Sequence, residues 1–170
     1  MIGKKIEEAF NSQINAETYS AYLYWSMAAY FDSVDLPGFA NWMRIQGQEE
    51  MTHAAKFYDF IRDCGGRITL TAIEAPQTDW DSPLDAFKDV YKHEQKVTSL
   101  IHGLVDLAGQ EKDHAASNFL QWFVAEQVEE EANADQIVKM LQRIGEGPGP
   151  LLMLDRELGG RSAGGGESEE

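Results

Sequence analysis

Cysteine is nearly absent: the 170-residue chain carries one, Cys64, which excludes an internal disulfide framework. Basic charge is scarce as well, with 14 Lys and Arg against 29 Asp and Glu and a formal net charge of -15. Such a surface repels nucleic-acid backbones and anionic membranes, so neither is expected as a partner, and cations are the natural ligands. No apolar run approaches the ~20 residues of a membrane span. The opening MIGKKIEEAF lacks the apolar stretch of a signal peptide, and a cytoplasmic protein is expected. The length fits one domain with a full core of its own.

What the chain does have is helical rhythm. Ile6, Phe10, Ala21, Tyr24, Ala28 and Phe31 recur at three- and four-residue steps and predict a helix from Lys5 to about Ser33. After the turn Asp35-Leu36-Pro37 the rhythm resumes through Phe39, Met43, Phe57, Phe60 and Cys64, up to Gly65-Gly66. The segment 67–81 has no helical period and reads as a long crossover, with a short strand-like stretch Ile68-Thr69-Leu70. Ser82-Pro83-Leu84-Asp85 is close to a capping box and starts a third helix, whose core face is Phe87, Val90, Val97, Ile101, Leu104 and Ala108. Gly109 to Asp113 is a short turn. A fourth helix follows to about Ile144 and ends at Gly145-Glu146-Gly147-Pro148, and a short fifth helix is expected over Leu151 to Leu158. These elements make one domain over residues 1–158, and the remainder, 159–170, is expected to be a disordered tail. Helices of roughly 27 to 30 residues are about 40 to 45 Å long, and only a bundle buries such lengths. Two short turns and one long crossover predict an all-α, up-down-down-up four-helix bundle.

Each long stripe is interrupted by polar residues near its middle. Glu17 interrupts the first, Glu50 with His53 the second, Glu94 the third, and Gln127 with Glu130 the fourth. Antiparallel packing brings the four interruptions to one level inside the bundle. Buried carboxylates need a positive partner, yet no Lys or Arg occurs between Lys5 and Arg44 or between Lys112 and Lys139. A metal ion is the simplest counter-charge. A Glu from each of two helices with Glu-x-x-His from another is the di-iron carboxylate pattern, except that the fourth helix offers Gln127-x-x-Glu130 in place of a second Glu-x-x-His. Hard oxygen donors with one imidazole suit iron, with manganese or zinc able to compete. Glu49, Glu126 and Glu129 lie one helical step off the stripes and would form a second, more open acidic site.

Bland readings stand beside these. A hydrogen-bonded polar network in a structural or interaction module is the alternative to the metal site, and Glu131 reads as part of a solvated face. Tyr24 is either core or a group that bonds a ligand or donates an electron, and Trp122 is read in the same way. His93, His102 and His114 fall off the stripes and read as surface residues. Cys64 reads as a small buried hydrophobe.

The strings INAETYSAYLY, QEEMTHAAKFYDF, YKHEQ and FLQWFVAEQVEEE resemble those of bacterial and archaeal non-haem ferritins, and the likeness extends to about Leu158. The resemblance implies iron storage with ferroxidase activity, dioxygen or hydrogen peroxide taking the electrons. It implies a first iron held by Glu17, Glu50 and His53, and a second, bridged by Glu50, held by Glu94 and Glu130 with Gln127 beside it. A third iron would sit on Glu49, Glu126, Glu129 and Glu130. Tyr24 matches a tyrosine near the centre and Trp122 a nearby tryptophan. A homo-oligomeric shell of twenty-four subunits around a mineral cavity is also implied. The nearest rival is a haem-binding bacterioferritin, in which Met51 would stand at the haem-ligand position. A rubrerythrin-like protein needs more cysteine than Cys64 supplies.

Overall fold

In the computed structural model, which describes residues 2–145 and 147–162, the chain folds as five helices: α1 (Lys4–Ser33), α2 (Pro37–Asp63), α3 (Pro83–Gln110), α4 (His114–Ile144) and α5 (Pro148–Gly159). Their ends follow local chemistry. The Ser82 side chain accepts from the Asp85 amide at 3.1 Å, and Asp113 accepts from the Ala116 amide at 3.0 Å, so α3 and α4 both begin on a capped turn. Asp35 and Lys112 adopt φ of 59° and 54° in the two tight turns, where the chain must reverse within a few residues. The fifth helix begins at Pro148, three residues before the expected start, because a proline at the first position is prepared for helix and its missing N–H costs nothing there.

The long crossover decides the topology. Cys64 lies beside Ile2, whose amide donates to its carbonyl, so α2 ends where α1 begins. From there residues 67–77 climb along α1 in the same direction. The Arg67 amide meets Glu7, the Thr69 amide meets Asn11, Asn15 donates to Thr71 Oγ1, and Ser26 donates to the Gln77 carbonyl. Trp80 closes the climb against Tyr30, with ring centroids 5.4 Å apart. The third helix therefore starts at the far end of α1 and runs parallel to α2, which is the up-down-down-up order. The strand-like Ile68-Thr69-Leu70 forms no strand: the Thr69 N–H is taken by the Asn11 side chain of α1, and no second extended segment lies beside it among the described residues.

Two apolar clusters fill the bundle. One gathers Tyr24, Met27, Phe31, Phe39, Phe87, Val90, Ile137 and Leu141, and the other Ile6, Phe10, Phe57, Ile61, Ile101, Leu120 and Phe123. Between them lies a buried polar layer of Glu17, Ser20, Gln46, Glu50, His53, Glu94, Gln127 and Glu130. The fifth helix docks on α2. Buried Asp155 accepts from the Gly38 and Phe39 amides at 2.8 and 3.0 Å, serving the free N–H groups of the first turn of α2 from a different helix. Beyond Leu158 the chain does not break away at once. Gly159 completes α5, and Asn41 donates to the Arg161 carbonyl at 3.1 Å, holding the next residues against α2. The rest of the expected tail, 163–170, lies outside the described residues. No helix among the described residues is long and apolar enough to cross a membrane.

Candidate metal centre

The polar layer is built from the heptad-like steps that place core residues elsewhere. Glu17 occupies a position on α1 where an apolar side chain would otherwise pack, and it is 1% exposed; Glu50 and His53, one turn apart on α2, are 2% and 3% exposed. One donor atom from each of these three residues lies within 4.8 Å of the others, a spacing that a single cation can span with small side-chain adjustments. Among the described residues Glu17 Oε2 and Glu50 Oε2 are buried without a hydrogen-bond partner. Orphaned carboxylate oxygens are costly, and two of them in one layer make Glu17 and Glu50 candidates to hold a cation. A second close group, His53, Glu126 and Glu130, shares the histidine and opens toward half-buried Glu126. His53 Nε2 lies 3.9 Å from Glu126 Oε1, and His53 Nδ1 lies 3.6 Å from Glu50 Oε2.

Neutral donors hold the remaining oxygens. Gln13 donates to Glu17 Oε1 at 2.9 Å, Gln46 to Glu130 Oε2 at 2.7 Å, and Gln127 to Glu94 Oε2 at 3.2 Å. The hydroxyl of fully buried Tyr24 donates to Glu94 Oε1. These amides and the phenol orient carboxylates without neutralising them. Burial, reinforced by the Glu50 carboxyl, therefore holds Glu17 well above the usual carboxylate range. Burial together with Glu94 and Glu130 does the same to Glu50. Glu130 is pushed up to about 8, first by burial and then by Glu94. Burial also raises Glu94, but its hydrogen bonds from Tyr24 and Gln127 pull in the opposite direction. Half-buried Glu126 is raised mainly by desolvation, with smaller contributions from the charges of Glu129 and Glu49.

The structure thus brings Glu17, Glu50, His53, Glu94, Gln127 and Glu130 to one level, with Tyr24 bonded into it. Glu49 and exposed Glu129 flank Glu126 but fall outside both close groups of donor atoms. Instead, Glu49 is paired with Arg161, whose Nη2 lies 2.5 Å from its Oε2. Trp122, 39% exposed, stacks edge-on to His53 at 5.4 Å and carries Lys56 4.2 Å above its ring. Met51 is 41% exposed on the outer side of α2.

Several residues were missed or misread from sequence. His93 is not a surface residue: it is mostly buried against Tyr24 and Tyr19, its Nε2 lies 2.8 Å from Ser20 Oγ, and burial lowers it to about 4. Glu131 is not simply solvated, since Thr98 donates to it at 2.6 Å while Gln127 reaches Thr98 at 3.3 Å. His102 and His114 are exposed, and Cys64 is only partly buried. Gln46 lay on the α2 stripe and Gln13 one turn before Glu17, so buried amides at those positions were a readable signal. Arg161 had none, because its place depends on how α5 folds back.

Comparison with known proteins agrees with this architecture. The Ferritin-like domain family matches residues 7–144. A bacterial non-heme ferritin from Bacteroides fragilis is 44% identical over 161 residues, covering 95% of this chain and 100% of the relative. The Staphylococcus aureus bacterial non-heme ferritin is 41% identical over 162 residues, covering 95% and 98%. Among solved structures, an open pore ferritin from the hyperthermophilic archaeon Archaeoglobus fulgidus superposes with a TM-score of 0.94 at 60% identity, covering 95% of this chain and 100% of that one. A likeness that runs from α1 through α5 in both sequence and backbone goes beyond shared bundle architecture: the chain belongs to the ferritin family, among its non-haem members.

Proposed function

We propose that this chain stores iron and oxidises it on entry, acting as a ferroxidase at the mid-bundle centre. The observation that carries the reading is the pair of orphaned oxygens, Glu17 Oε2 and Glu50 Oε2, beside His53 in a layer that buries no Lys or Arg among the described residues. In this reading Glu17, Glu50 and His53 bind one ferrous ion as substrate. Glu50, facing both groups, bridges it to a second held by Glu94 and Glu130, with Gln127 beside them. Glu126 and Glu130, with Glu49 and Glu129, would receive a third ion on the way out. Binding drives protons off the carboxyls that burial keeps protonated, so occupancy depends on pH. Two ferrous ions give up one electron each; dioxygen takes both with two protons and leaves as hydrogen peroxide, which can itself serve as oxidant. Tyr24 keeps the Glu94 carboxylate oriented through these changes, and the apolar clusters on either side exclude bulk water from the layer.

The relatives support a homo-oligomeric shell, and a twenty-four-subunit cage enclosing the ferric mineral is proposed by that relationship. The haem alternative is not favoured: the relatives are non-heme ferritins, and Gln127 and Glu130 replace the second Glu-x-x-His of a bacterioferritin. Aerobic addition of ferrous iron to the metal-free protein tests the proposal. Fast, saturable oxidation and a soluble iron core are expected, with the fast phase lost in Glu17→Ala and His53→Ala. Parent-like kinetics in both variants would sink the site assignment, and a protein that neither oxidises nor retains iron would return the reading to a structural module.

A further inference from the structure

Among the described residues, the basic side chain hydrogen-bonded to the acidic layer comes from the last part of the chain. Asp155 clamps α5 to the first turn of α2, and Asn41 then holds the Arg161 carbonyl, so the Arg161 side chain lies along α2. It crosses three successive turns of that helix. Its Cζ sits 4.7 Å above the ring of buried Trp42, its Nη1 donates to Gln46 Oε1 at 2.9 Å, and its Nη2 donates to Glu49 Oε2 at 2.5 Å. The guanidinium is planar and only donates, so the carbonyl oxygen of Gln46 must face it. That choice turns the Gln46 amide nitrogen toward Glu130 Oε2, 2.7 Å away. One guanidinium therefore holds Glu49 directly and Glu130 through a single amide.

We infer that Arg161 is a displaceable internal cation on the outer acidic cluster: it holds Glu49 when no metal is bound there and competes with an entering ion for that carboxylate. This rests on the proposal that Glu49, Glu126 and Glu129 form an outer metal site. The chemistry is competitive. A guanidinium on Glu49 Oε2 takes a lone pair and offsets negative charge that a metal ion on this cluster would use, so each weakens the other's hold on the carboxylate. The pair is neither deeply buried nor free, with side chains 23% and 31% exposed, so the arginine can swing toward solvent while α5 stays docked through Asp155. Its hold is modest, as expected of a half-exposed pair supplemented by one stacking contact. A modest hold suits a site that passes ions onward: it weakens the outer cluster enough to discourage retention, while the link through Gln46 keeps Glu130 oriented for the inner centre.

The test is calorimetric titration of redox-inert zinc into the metal-free, assembled full-length protein and its Arg161→Gln, Arg161→Lys and Glu49→Gln variants. Arg161→Gln should tighten the weaker class of sites about three- to tenfold and leave the tighter class in place, since its competitor is worth that much. Arg161→Lys keeps the charge but loses the planar fork and should tighten the same class by a smaller factor. Unchanged or weakened binding in Arg161→Gln would overturn the inference. Parent affinity in Arg161→Lys beside tightening in Arg161→Gln would support it too, with the charge rather than the planar fork as the competitor. Glu49→Gln separates the two claims. Loss of the weaker class there, with no effect of Arg161→Gln, refutes the competitor alone, whereas parent-like zinc binding in Glu49→Gln removes the outer site and the inference with it.

Discussion

A buried carboxyl kept for a cation should destabilise the protein when the cation is absent, and Glu130 allows that cost to be weighed. Its side chain is 5% exposed, and its carboxyl is pushed from an ordinary value of 4.5 up to about 8. For an acid raised on folding, the folded state binds the extra proton. Stability is therefore highest below 4.5 and is lost as pH climbs toward 8, where the unfolded chain ionises freely and the folded one does not. At pH ~7 the difference amounts to ~3 kcal/mol, at about 1.4 kcal/mol for each pKa unit. Glu130→Gln keeps the shape and cannot ionise. Its carbonyl can still accept from Gln46, but the new amide hydrogens need a partner in place of the carboxyl proton, so the net gain should be about 1 to 3 kcal/mol. The assay is guanidinium unfolding of metal-free protein at one protomer concentration, compared at pH 4.5 and pH 8, the two ends of this titration. The variant should match the parent at the acid end and exceed it at the alkaline end. Zinc should then stabilise the parent more than the variant. A variant no more stable at the alkaline end, or equally favoured at both, would refute the reasoning.

Tyr24→Phe removes the only phenol on Glu94 and leaves a buried carboxylate oxygen without that donor. The metal-free protein should lose about 1 to 3 kcal/mol by denaturant unfolding. Because the Tyr24 bond lowers Glu94, metal binding in this variant should also need a higher pH, read from zinc titrations along a pH series. Gly38→Ala should fail at the α2–α5 junction, since a Cβ there would lie 1.6 Å from the Asp155 carbonyl oxygen, an immovable backbone atom. Proteolysis should then cut near α5 in a chain whose circular dichroism stays helical, and intact resistance would show that the helix can shift at little cost.

The helices and the level of the site were legible because both depend on local periodicity. Glu17, Glu50, His53, Glu94, Gln127 and Glu130 each stand where an apolar residue belongs on a stripe, and a stripe is a property of one helix. Tyr24 and its bond to Glu94 lay one step further, since the register places both inward but does not pair them. What remained hidden depends on contacts between segments distant in the chain. His93 is buried because Ser20 and two tyrosines of α1 cover it, a matter of how α1 and α3 are rotated against each other. Asp155 reads locally as one acid in a short helix, yet it caps α2. Arg161 reads as part of a polar tail, and only the docking of α5 carries it to Glu49.

The identity of the donors around the centre follows from what an iron site must avoid. A lysine or arginine inside the layer would stabilise the buried carboxylates, but it would also repel the incoming ion and hold the oxygens that must bind it. Gln13, Gln46, Gln127 and Tyr24 do something different. As neutral donors each takes one lone pair on a carboxyl and aims the group without supplying positive charge, so burial holds protons on Glu17, Glu50 and Glu130. The result is a set of carboxyls already oriented, and on the proposed reading a cation that displaces their protons supplies the missing positive charge. Arg161 is placed consistently with that logic: it touches the outer, half-exposed Glu49 and reaches Glu130 only through an amide. A positive charge placed inside the layer should therefore abolish the site. A Gln46→Lys variant, whose ammonium would meet Glu130 on one side and the Arg161 guanidinium on the other, should lose tight zinc binding; parent-like zinc affinity would show that charge compensation and metal binding are separable here.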